Sequence, residues 1–83
     1  MHEHSLLRAL MTQVEAAARA HGAARVRVVR VKLGPLAHLD PEHLRHHFAA
    51  AARGTAAEGA RLEIEVTDAL HEITLESLDV EVP

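Results

Sequence analysis

Cysteine does not occur in this 83-residue chain, and neither do tryptophan or tyrosine; one phenylalanine, Phe48, is the only aromatic residue of those three types. The first absence excludes disulfides, zinc-thiolate sites and thiol nucleophiles. The second removes the stacking platforms that single-stranded nucleic-acid binders use, and a formal net charge of -3 supplies no basic field for phosphates. No apolar run approaches the length of a membrane span, and no basic-then-apolar leader opens the chain. A soluble cytoplasmic protein is the expectation. Large side chains are also scarce: the 48% hydrophobic share comes largely from alanine and valine. Burial of such residues removes little area per position, so the single domain, 1–83, has a thin core that gains from self-association into a homo-oligomer.

What is present begins at the amino terminus. Met1-His2-Glu3 sets an imidazole directly behind a free α-amino group. The amine, the main-chain nitrogen of His2 and the Nδ1 of its ring close fused chelate rings around one ion, an all-nitrogen set that favours Ni(II) or Cu(II) in a square plane. The initiator methionine is expected to persist, because aminopeptidase trimming needs a small second residue and His2 is not small. His4, two residues on, can serve as an accessory ligand, although a solvated side chain is the plainer reading.

From Ser5 to Ala20, Leu7, Leu10, Met11, Val14, Ala17 and Ala18 recur at helical spacing. Ser5 reads as the N-cap and Gly22 as the residue after the helix end, which leaves Met1 to His4 as a free arm. Arg25 to Leu33 reads as a valine-rich strand whose alternation changes phase, predicting a bulge near Arg27-Val28 or burial on both faces. Gly34-Pro35 stops it. Asp40-Pro41-Glu42 is a helix start, an Asp cap followed by proline at the first helical position and an acid in the first turn. Leu44, Phe48, Ala51 and Ala52 form its buried stripe, and it ends near Arg53-Gly54. Arg61 to Val66 alternates cleanly, with Leu62, Ile64 and Val66 inward. In Ile73 to Val82 the phase changes again, so either a kink falls near Glu76-Ser77 or only Leu78 to Val82 pairs. The order αβαββ predicts a two-layer α/β (α+β) domain with two helices on one face of a small, mixed, three-stranded sheet.

The chain carries eight histidines. His43 and His47 share one helix face, with His46 one step round, a spacing that holds zinc or nickel when a third ligand arrives. No third donor is identifiable, which favours a surface role. Asp68, His71 and Glu72 form a conceivable cluster, read more simply as polar loop residues. His21 suits the dipole behind a helix end, and His38 falls in a loop. Glu63 and Glu65 read as the solvated side of a sheet. No nucleophile motif or acid–base pair can be assembled, so no enzyme is expected, and nothing resembles a phosphate loop.

Several segments together resemble the hydrogenase nickel-insertion proteins of the HypA/HybF family. They are Met1-His2-Glu3 with Ser5-Leu6, Gly22, Val31-Lys32-Leu33-Gly34, Asp40-Pro41 with Leu44 and Phe48, Gly54-Thr55-Ala56-Ala57-Glu58-Gly59 leading into Arg61 to Glu65, and Leu75 to Glu81. The resemblance implies a nickel metallochaperone that holds Ni(II) through the Met1 amine, the His2 ring and the main-chain nitrogens of His2 and Glu3. It implies delivery, with a maturation GTPase, to the large subunit of nickel-iron hydrogenase and in some organisms to urease. One departure is large. The family inserts a zinc domain with two Cys-x-x-Cys pairs between its last two strands, whereas this chain has only residues 67–72 there, so no zinc is expected. The alternative is a domain derived from this family that acts as an interaction scaffold without metal delivery.

Overall fold

The valine-rich segment becomes the centre of the sheet. In the computed structural model, which describes residues 3–69 and 72–83, α1 spans Glu3–Ala20, β1 Arg25–Leu33, α2 Pro41–Ala51, β2 Arg61–Val66 and β3 Ile73–Glu81, with a short 3-10 turn at Pro35–Ala37. The strand order is β2-β1-β3. β1 runs parallel to β2 and antiparallel to β3, so the sheet is mixed, as expected. α2 is the crossover that two parallel neighbours require.

Both phase changes in the sequence mark register shifts. One falls between Val26 and Val28, leaving Arg27 as the extra residue of β1. The second lies where Arg30 pairs with Ser77 but Val31 pairs with Leu75, so Glu76 is the extra residue of β3. A bulge inserts a residue without reversing the inward face, which explains the broken alternation on either side. Of the alternatives for the last segment, the kinked strand is the one adopted. Val28 is also buried, though outside the main cluster, while Val26, Val29, Val31 and Leu33 face the helices.

Those helices supply Leu6, Leu7, Leu10, Met11, Val14 and Ala18 from α1 and Leu44, Phe48 and Ala52 from α2. The α2 stripe follows the i, i+4 row Leu44, Phe48, Ala52, and Ala51, expected inside, is exposed. Val66 is likewise 68% exposed rather than inward, because it ends an edge strand beyond the cover of the helices. Asp40 caps α2 as expected, its carboxylate accepting a hydrogen bond from the His43 amide at 3.3 Å. At the end of α1 the Ala23 amide donates to the Ala18 carbonyl and the Gly22 amide to the Arg19 carbonyl. This is the closure that needs a left-handed residue, and Gly22 has φ +63°.

On the face away from the helices, Arg30 of β1 clamps all three strands. Its guanidinium donates to Glu63 of β2 at 2.9 Å and to both carboxylate oxygens of Asp79 on β3 at 2.8 Å. Hydrogen bonds from Arg61 and then Arg30 hold the Glu63 carboxyl below its ordinary range, and Arg30 does the same for Asp79. A carboxyl with a lowered pKa in the folded state binds fewer protons than in the unfolded chain, so its contribution is full above the unfolded pKa and is lost as pH falls through the folded one. Urea midpoints followed from neutral pH into acid are therefore expected to fall for the wild type, with a shallower fall in Arg30→Met. The effect is small because these groups are half-exposed. Equal slopes in both proteins would show that the clamp carries no linkage.

Candidate metal centre

The head of α1 is where the first candidate ligands lie. Met1 and His2 fall outside the described residues, and so does the side chain of Glu3, so the proposed ligand set is described only at the Glu3 backbone. One expectation is corrected: α1 starts at Glu3, two residues before Ser5, and Ser5 is therefore not its cap. The reason lies in packing. Leu6 and Leu7 are 3% and 7% exposed, so the core holds the first turn directly and needs no serine cap.

This start fixes what the main chain can offer. The opening N–H groups of an α-helix have no intrahelical acceptor, and the Glu3 nitrogen is one of them. His4 and Ser5 are exposed. Leu6 was missed as an anchor, although its i, i+4 relation to Leu10 was readable in the sequence.

The position of this head in the fold follows from the connections. The short link 21–24 turns α1 back along β1, and Ala17 and His21 near its end line a hollow with Val80 and Val82. The helix head therefore lies toward the other end of the sheet, where β1 and β2 finish and β3 begins. The connection 67–72 springs from that end, and both its roots are tied to the end of β1. The Thr67 amide donates to the Leu33 carbonyl at 2.9 Å, and the Gly34 amide to the Glu72 carbonyl at 3.0 Å. Of the cluster considered there, His71 lies outside the described residues, and Asp68 is exposed.

Among the described residues no group of three or more histidine, aspartate or glutamate side chains converges as a metal site. His21 and His38 are exposed and stand apart, His21 beyond the last turn of α1 and His38 after the 3-10 turn. His43, His46 and His47 are all exposed on α2, and the structure brings their rings together. His43 and His47 stack with centroids 6.1 Å apart, while His46 lies tilted against His47 at 5.8 Å. No described helix is long and apolar enough to cross a membrane.

Comparison with known proteins adds the following. A family model described as hydrogenase/urease nickel incorporation, metallochaperone, hypA matches residues 1–73. The hydrogenase maturation factor HypA of Methylocella silvestris is 48% identical over 66 residues, covering 80% of this chain and 58% of that protein. Its counterpart in Chlorobium limicola is 49% identical over 65 residues, covering 78% of this chain and 56% of the relative. The chain thus spans little more than half the length of these curated relatives. The solution structure of the Ni metallochaperone HypA from Helicobacter pylori is similar with a TM-score of 0.82, at 19% identity and over 100% of both chains. At that identity the likeness establishes the fold, two helices on a three-stranded mixed sheet.

Proposed function

Because this chain belongs to the HypA family of hydrogenase and urease nickel-incorporation metallochaperones, we propose that it is a nickel carrier rather than an enzyme. Ni(II) is held by the Met1 amine, the His2 ring and the main-chain nitrogens of His2 and Glu3, with His4 outside the set. The observation that carries this reading is that the family match begins at residue 1 and so includes Met1-His2-Glu3. The start of α1 supports it. A main-chain nitrogen that binds Ni(II) in a square plane must lose its proton, and the Glu3 nitrogen gives up no helical hydrogen bond in doing so. The positive end of the helix dipole also favours the negative amide nitrogen that results. Leu6 and Leu7 anchor the root of the site in the core.

In this reading the nickel half of the family architecture is kept and the zinc half is replaced by the connection 67–72. The recipient is the large subunit of a nickel enzyme, hydrogenase or urease, served together with a maturation GTPase.

The test uses untagged protein, because residues added in front displace the amine. Titration with Ni(II) is expected to give a yellow, diamagnetic complex at one equivalent, abolished by acetylation of the amino terminus. Protons compete for the same nitrogens, so uptake rises with pH through the imidazole range, near about 6.5 for an unperturbed ring. Equal uptake after acetylation would overturn the assignment. No uptake at micromolar protein, together with a stable oligomer, would favour the scaffold alternative.

A further inference from the structure

We propose that His43 and His47 form a second metal site, a two-histidine clip on the exposed face of α2 for a borderline divalent ion such as Cu(II), Ni(II) or Zn(II). It uses no atom of the amino terminus and stands independently of the carrier reading.

Residues i and i+4 on a helix lie one above the other, so two imidazoles at this spacing reach the same point in solvent. Here the rings are nearly parallel, at an interplanar angle of 17° with centroids 6.1 Å apart. A shared ion needs one nitrogen of each ring at about 2.0–2.1 Å. Closure onto one ion requires both rings to turn about their side-chain torsions, of which χ2 is broad in histidine.

The rest of α2 holds the pair in place. Leu44 and Phe48, at 0% and 1% exposure, fix the opposite face of the helix in the core, and the Asp40 cap fixes its first turn. The backbone between the two ligands is thus ordered before any ion arrives, which lowers the cost of binding. Arg45, the cation between the two histidines in sequence, points toward the sheet, donating to the Leu62 carbonyl at 3.3 Å and pairing with Glu42 at 2.7 Å. It therefore does not stand over the imidazoles, and Glu42 is turned to it. Two protein ligands leave the other coordination positions to water or to a partner's donor. Such a site binds and releases readily, in keeping with imidazole's affinity for zinc, copper and nickel. His46, one step round the helix, lies tilted against the ring of His47 and is not part of the clip.

The experiment takes full-length chain with its amino terminus acetylated, which silences the first three residues, and titrates it with Cu(II) while imidazole proton signals are followed by NMR. The signals of His43 and His47 are expected to broaden first and together, at one equivalent, ahead of His4, His21 and His38. His43→Ala or His47→Ala is expected to weaken Cu(II) binding by about a hundredfold, the gain from making the second bond intramolecular. His46→Ala is expected to leave it unchanged. All three positions are exposed and alanine is the strongest helix former, so these variants keep α2. Broadening spread evenly over the exposed histidines would overturn the clip. So would unchanged affinity in His43→Ala with His47→Ala, or an equal loss in His46→Ala.

Discussion

Phe48→Ala is expected to destabilise the domain by about 3–5 kcal/mol, the usual cost of removing a buried aromatic side chain. For a chain of this length that is a large part of a total stability of roughly 4–12 kcal/mol. Phe48 is 1% exposed and heads the largest fully buried side chains. It sits on α2 in the same cluster as residues of α1, β1 and β2, so it ties the second helix to the rest. The sequence leaves little to fill the space, since the remaining core is built from leucine, valine, alanine and one methionine. Urea denaturation at neutral pH checks the result. A midpoint within error of the wild type would mean that the core collapses onto the cavity far better than side chains of this size normally allow.

The second large effect concerns the metal and not the fold. His2→Gln, whose side chain is too large at the second position for Met1 to be trimmed, is expected to lower Ni(II) affinity by about a thousandfold, because losing the ring opens a chelate in which each further bond is intramolecular. The urea midpoint of the metal-free protein is expected to stay where it is, since the core begins at Leu6. His4→Ala is expected to change neither quantity. The comparison separates a ligand from a structural residue: Phe48→Ala moves stability, and His2→Gln moves only metal affinity. Calorimetric titration of untagged proteins reads the affinities. Full nickel affinity in His2→Gln would remove His2 from the site, and a thousandfold loss in His4→Ala would move the ring donor to His4.

Much of the fold was legible because its signals are local. The Asp40-Pro41-Glu42 start of α2 and Gly22 at the end of α1 stand as read, since a cap is decided by a side chain and amides within one turn of each other. The bulges at Arg27 and Glu76 were legible as phase changes in valine and leucine spacing. The start of α1 was misjudged because Ser5 carries a local capping signal, whereas Leu6 and Leu7 are held by contacts with the core that no local pattern contains. Ala51 and Val66 failed for a related reason: periodicity says which side of an element is apolar, not how far along the element a neighbour covers it.

The candidate metal chemistry divides along the same line. The proposed Met1-His2-Glu3 set rests on order alone, because a chelate closed by consecutive residues depends on covalent geometry. The spacing of His43 and His47 was equally readable, yet the near-parallel stacking of their rings is a property of the folded helix.

By itself, then, the sequence determined the αβαββ order, the Asp40 cap, the Gly22 helix end and the bulges, all of which act over a few covalently linked residues, and it is the source of the proposed terminal nitrogen set. Only the tertiary structure decided that β1 lies between β2 and β3, that Arg30 reaches an acid on each side, and that α1 is rooted in the core from its first turn. Those features join residues remote in sequence, and their energies exist only once the chain has brought the partners together.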